Sequence, residues 1–285
     1  GVRSSLEAAS SLKRYSDSVQ DSILAEDIGK FPDQNVAESL QRIPGVSINR
    51  VNGEGSKITV RGFGPEFNVV TLNGRTLATS EIGRSFDFQV LAAELISGAD
   101  VVKSPTAKTP EGSIGAYVNV KTARPLDNPG LHVLGSINAK YSELSGETSP
   151  EYSALFSNTF ADETFGFNIA LSQQKSDNRY DSMGTTRWLL LNNEPGVIEG
   201  DIHNLDDNVV TPSMLRHAGR IEYALGQESR ERIGINTSLQ WAPDSSFTNT
   251  FDYMYTDLSV ETQTQGLQAG LQYPNWRNVV VSDNG

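Results

Sequence analysis

Leu131-His132-Val133-Leu134-Gly135-Ser136-Ile137-Asn138-Ala139-Lys140-Tyr141 alternates: its odd positions are apolar or small, and its even ones, Leu134 apart, are polar. A period of two places alternate side chains on opposite faces of an extended strand. The alternation recurs through 151–160 (Tyr152, Ala154, Phe156, Phe160), 165–175 (Phe165, Phe167, Ile169, Leu171), 232–241 (Ile233, Ile235, Leu239, Trp241) and 246–257 (Phe247, Phe251, Tyr253, Tyr255). Runs of about ten residues with aromatic ends match strands that cross a bilayer in a closed barrel. A soluble sandwich also alternates, but its strands are nearer five or six residues. Strand length and aromatic ends therefore predict a membrane barrel wall.

Working outward, the connections sort by length. Residues 161–164 and 242–245 are short links of the kind found on the periplasmic side of such barrels, and 177–228 is one long connection. If both short links lie on one side, the long one is a single external excursion between the third and fourth strands. The strand-like piece 218–225 would then be a hairpin arm or strand extension.

Upstream of Gly130 the pattern is different. Residues 1–30 are polar and weakly patterned, which predicts an extended or mobile lead-in. Asn35 can cap a helix that carries Glu38 three residues on and Val36, Leu40 and Ile43 on one face, with Pro44-Gly45 ending it. Short strands are expected at 46–50, 57–60, 68–72, 100–103 and 117–121, with Asn73-Gly74 as a tight turn and a second helix over 88–95. The division is thus a lead-in (1–30), a small α+β domain (31–125) and a β-rich part (126–285) containing the long loop 177–228.

Composition supports two domains and excludes several functions. Residues 1–125 balance 14 Lys/Arg against 14 Asp/Glu; residues 126–285 carry 9 against 21 and supply the whole net charge of −12. That acidity excludes a nucleic-acid footprint. There is no Cys, and the three His are scattered without ligand spacing, so no metal site is expected. No run of 18 apolar residues exists to form a transmembrane helix. Gly62-Phe63-Gly64 and Gly53-Glu54-Gly55 lack the strand–helix context of a phosphate loop and read as turns. No carboxylate pair or other catalytic constellation stands out.

Asn35-Val36-Ala37-Glu38-Ser39-Leu40-Gln41-Arg42-Ile43-Pro44-Gly45-Val46 resembles the start of the plug domain of TonB-dependent receptors. Val60-Arg61-Gly62-Phe63 and Val70-Thr71-Leu72-Asn73-Gly74-Arg75 resemble its next blocks. Val102-Lys103-Ser104-Pro105-Thr106-Ala107, Pro110-Glu111-Gly112-Ser113-Ile114-Gly115-Ala116 and Val118-Asn119-Val120-Lys121-Thr122 resemble the last ones. The blocks stand in family order across roughly 20–125. Val2-Arg3-Ser4-Ser5-Leu6 and the helix block look like the branch common in aquatic and plant-associated Gram-negative bacteria, whose members are often linked to carbohydrate uptake.

The resemblance implies a mainly β fold: an α+β plug inside a 22-stranded barrel in the outer membrane, bathed by its lipid. The 155 residues after Gly130 have room for five or six strands, so only part of that barrel is expected, ending in an external loop with Gly270, Tyr273 and Trp276. The implied partner is the TonB energy-transducing complex, whose docking segment is expected upstream of Gly1. The implied mechanism is binding outside followed by a pull on the plug's N-terminus. The nutrient read here is an oligosaccharide, with a ferric siderophore as the alternative. A non-transporting surface sensor or adhesin is the competing class, and no cofactor is expected.

The same resemblance places Arg61, Arg75 and Glu111 at the plug–barrel interface, against ordinary surface charge as the bland alternative. It also brings the loop 77–87, with Glu81, Arg84, Phe86 and Asp87, to the external face; a loop simply packed on the wall is the alternative. There Arg84 would donate hydrogen bonds and Phe86 would stack on a sugar ring, with Tyr180 and Trp188 above them. Residues 177–213 carry seven acidic and two basic side chains, a formal −5 that disfavours anionic chelates and tolerates neutral sugars. Asp201, Asp206 and Asp207 lack calcium-loop spacing and read as a solvated acidic stretch.

Overall fold

The computed structural model describes residues 2–24, 35–77, 83–190, 198–199, 203–204, 206, 208–209, 216–271, 276–277 and 280–281. Two compact units emerge, Gly1–Asn178 with Glu228–Glu261 and Arg179–Gln227 with Thr262–Gly285; each is described by itself.

The first unit holds a small α+β module. Helix α1 (Val2–Arg14) leads into strand β1 (Gln20–Leu24). Residues 2–24 were expected to be an extended or mobile lead-in. β1 instead pairs antiparallel with β6 (Ile96–Val102), and Ile23 supplies an apolar side chain to the core. A polar strand with one buried residue leaves little periodic signal, which is why the sequence reads as featureless there.

Helix α2 (Val36–Leu40) starts where expected: Asn35 Oδ1 accepts from Ala37 N at 2.9 Å and Glu38 N at 3.4 Å. Glu38 does not complete a capping box; its Oε1 accepts from Gly55 N at 2.8 Å and ties the helix to the following hairpin. That hairpin is β2 (Val46–Val51) with β3 (Glu54–Val60), turning at Asn52-Gly53, both with positive φ. Strand β4 (Asn68–Leu72) turns at Asn73-Gly74 into β5 (Arg75–Thr76), again with both turn residues at positive φ, the tight-turn geometry the dipeptide predicts.

The second expected helix is absent. Residues 88–95 form two 3-10 turns, Phe88–Val90 and Ala93–Leu95, with Leu91 and Ala92 extended between them. Phe88, Leu91, Ala92, Ala93 and Leu95 are all buried. A helix would have turned some of these outward, so burial on every side favours the broken form. The module's mixed sheet runs β1-β6-β7-β4-β5, with β7 (Ala116–Thr122) antiparallel to β6 and parallel to β4.

The second sheet has the order β14-β13-β10-β9-β8. Its strands are β8 (His132–Ser142), β9 (Glu147–Phe160), β10 (Phe165–Leu190), β13 (Arg216–Asp244) and β14 (Phe247–Gly270). The link at 161–164 is tight, with Ala161, Asp162 and Glu163 all at positive φ. The excursion expected over 177–228 is shorter as a loop: β10 continues to Leu190 and β13 begins at Arg216, so 218–225 is strand. The strand extension read at 218–225 is there, within β13.

The second unit contains the parts of β10, β13 and β14 that fall in its residue range. It also holds two parallel two-residue pairs, β11 (Ile198–Glu199) with β15 (Trp276–Arg277) and β12 (His203–Asn204) with β16 (Val280–Val281). Gln268 Nε2 donates to Glu222 Oε1 at 2.5 Å across its strands.

Candidate functional site

The long sheet is inverted relative to a soluble protein. On β13 the buried side chains are Glu228, Arg230, Arg232, Asn236, Ser238 and Gln240, while Ile233, Leu239 and Trp241 are exposed. Asn236 and Ser238 are 1% and 0% exposed; Leu239 and Trp241 are 38% and 51% exposed. β10 repeats the arrangement, burying Asn168, Ser172 and Gln174 and exposing Leu171. Aromatics cluster at the short-link end, where Trp241 meets Phe247 edge-on at 5.8 Å and Phe160 lies 6.4 Å from Phe165. An apolar outer face ending in aromatics is what a strand needs when lipid is its outer solvent.

The buried polar face receives the α+β module through ion pairs. Glu54 opens β3 just after the Asn52-Gly53 turn, and both its oxygens are used. Arg230 Nη1 donates to Oε2 at 2.6 Å, and Arg232 Nη2 and Asn35 Nδ2 donate to Oε1, the latter at 2.8 Å. Arg232 Nη1 also donates to Gln174 Oε1 at 2.5 Å, and Gln174 Nε2 to Glu94 Oε1 at 2.6 Å. Arg230 pairs with Glu228, which accepts from Asn52 Nδ2. Two carboxylates and two guanidiniums thus neutralise one another out of water, the condition under which buried charge is tolerated.

Burial by itself would raise the Glu54 carboxyl, but the charges and hydrogen bonds of Arg232, the bond from Asn35 and the charge of Arg230 hold it below the usual range. Glu94 goes the other way: burial pushes it up, and its own backbone amide and Gln174 offset this only in part. A second polar group closes the other end of the seam. Arg124 Nη2 and Asn73 Nδ2 donate to Asp252 Oδ2 at 3.2 and 3.3 Å, and Ser238 Oγ donates to Oδ1 at 2.7 Å. Asn168 Nδ2 donates to Ala123 O at 2.6 Å. Between these groups small residues admit close contact. A Cβ on Gly234 would lie 2.5 Å from Leu95 Cδ1, and one on Gly166 2.8 Å from Pro125.

Arg61, expected at the plug–barrel interface, bonds within its own module. Arg61 has φ 52°, and that turn throws its side chain back over its own module. There it donates to Lys103 O and, at 3.3 Å, to Gly115 O. Arg75 and Glu111 are exposed. Of the expected ligand contacts, Phe86 is 7% exposed and packs edge-on against Phe88 at 5.0 Å in the core, so it has no face to offer a sugar. Asp87 accepts from Gln89 N at 2.9 Å and Ser56 Oγ at 3.1 Å, capping a 3-10 turn. Arg84 is exposed beside Gly112. Tyr180 is half-buried over Gly226 and Trp188 is 57% exposed, both in the second unit. Glu81, Glu194, Asp201, Asp207 and Tyr273 lie outside the described residues, as do the side chains of Arg187 and Trp276. The seam carried one unread signal: Arg230 and Arg232, two apart on the polar face of a strand whose other face is apolar.

Comparison with known proteins bears on the module first. Residues 12–117 match the family model of the TonB-dependent Receptor Plug Domain. Among solved structures, the chain is similar to the siderophore receptor PirA from Pseudomonas aeruginosa (18% identity, 85% of this chain and 42% of that one, TM-score 0.46). It is also similar to PirA from Acinetobacter baumannii (16%, 91% and 46%, TM-score 0.45). The ferric citrate transporter FecA in its unliganded form is a further match (17%, 92% and 50%, TM-score 0.49). The chain spans half or less of the length of each of these proteins. Residues 12–117 are thus a TonB-dependent receptor plug domain, and consecutive antiparallel strands follow it.

Proposed function

We propose that the protein resides in the outer membrane and imports a scarce nutrient, with its plug gating the path and TonB supplying the energy. The observation that carries this reading is the inverted sheet: apolar residues outward, and a buried ionic seam inward that holds the plug by pairs. A polar seam can exchange its partners for water and re-form, whereas an apolar core torn open cannot do so at low cost. The protein's work is binding and gating, not catalysis.

For the ligand we infer a neutral oligosaccharide. Residues 177–213 carry seven acidic against two basic side chains, a field acting over roughly 8–10 Å at physiological salt. That field disfavours an anionic chelate. Exposed Trp188, in the same stretch, offers a stacking face. The test is titration of the full-length receptor with neutral oligosaccharides and with ferric siderophores. Saturable sugar binding that weakens tenfold or more in Trp188→Ala is expected. Tight siderophore binding unchanged in that variant, with no sugar response, would replace the carbohydrate reading with the siderophore one.

A further inference from the structure

The plug is fastened in two different ways, and the contrast points to where it yields. Against the wall it is held by the buried network around Glu54. Within the plug, β6, β7 and β4 each have a strand on both sides and bury Val101, Val118, Val120, Val70 and Leu72. β1 has neither advantage. It is a five-residue strand that, among the described residues, pairs with β6 alone, and Ile23 is its one buried residue.

What compensates is an ion pair whose cation is buried. Lys103, just past the end of β6, is buried; its ammonium donates to Asp21 Oδ2 at 2.6 Å and to Pro44 O at 2.5 Å. Its backbone is also engaged, with Lys103 N donating to Val19 O at 2.7 Å and its carbonyl accepting from Arg61. Lys103 therefore joins β1, the end of the α2 segment and the Arg61 turn. The other links of β1 are weaker in kind. Lys13 reaches Asp21 from an exposed position, and Ser22 Oγ donates to Asp100 at 2.7 Å. Gly98 lets the strands close, since a Cβ there would lie 2.7 Å from Ile23 O.

We propose that the Asp21–Lys103 pair is the latch of β1: with it intact residues 20–24 belong to the plug sheet, and with it broken they leave β6 while the rest of the plug stays on the wall. The proposal rests on the plug reading and gives the gating step a location. Removing one partner strands the other charge out of water, whereas removing both does not. An exposed pair contributes little.

Amide hydrogen exchange on the purified receptor in detergent tests this without ligand or TonB, so a failure of the nutrient reading leaves the result intact. Asp21→Asn is expected to speed exchange at residues 20–24 by tenfold or more while residues 68–72 and 116–122 keep the parent rates. Asp21→Asn/Lys103→Met is expected to recover part of that loss, and Lys13→Met to change exchange less than twofold. The latch is refuted if Asp21→Asn leaves residues 20–24 at the parent rate, if it speeds 20–24 and 116–122 equally, or if Lys13→Met matches it.

Discussion

Glu54 and Glu94 sit on one hydrogen-bonded chain, Glu54–Arg232–Gln174–Glu94, yet their ionisation works in opposite directions. Glu54 is held below its ordinary range, so its contribution to stability is present above the unfolded value and is lost as pH falls through the folded one. Glu54→Gln removes the carboxylate that Arg230 and Arg232 share and is expected to cost about 3–5 kcal/mol in denaturant unfolding of the receptor. Glu94 is raised, so its contribution is most favourable below the unfolded value and is lost as pH rises through the folded one. Glu94→Gln removes that ionisation cost and is expected to stabilise the protein near neutral pH, with the gain vanishing on acidification. Equal and same-signed effects of the two substitutions would show that they do not share this network. Neither residue was singled out from the sequence, because each is an ordinary acid until the wall supplies its partner.

Among elements, the strands were more legible than the helices. Asn68–Leu72 and the Asn73-Gly74 turn stand where alternation and turn chemistry put them. The run 131–141 appears as β8, displaced by one residue. The expected second helix failed because 88–95 is largely apolar and buries six of its eight residues, so its hydrophobic period does not distinguish a helix from the broken turns that form. β1 was missed for the opposite reason, having a single buried residue. β10, β13 and β14 run 26, 29 and 24 residues, well beyond the about 9–11 that span a bilayer, and their polar extensions carry no hydrophobic signature by which sequence could show them. The apolar face of β13 yields a further prediction. Ile235→Lys puts an ammonium on the face proposed to meet lipid and is expected to cost about 2–4 kcal/mol in detergent or bilayer unfolding. A change within 0.5 kcal/mol, the usual range of an unremarkable surface substitution, would place that face in water.

For the molecule as a whole, one arrangement accounts for charge, pattern and packing together: a plug held by ion pairs on the inner, polar face of strands whose outer face is apolar. The sequence disclosed the two faces and the plug, but not which charges join them. Arg230 and Arg232 meet Glu54 across more than 170 residues, and no local spacing encodes that pairing. The arrangement is tested most directly by spin labels placed singly at positions 233 to 241 of the full-length receptor in bilayers. Collision with lipid-soluble oxygen and with a water-soluble nickel chelate is then measured at each site. Oxygen accessibility is predicted to peak at Ile233, Ile235, Leu239 and Trp241 and to fall at Asn236, Ser238 and Gln240, with a period of two. Oxygen maxima at the polar positions, or no alternation at all, would contradict it.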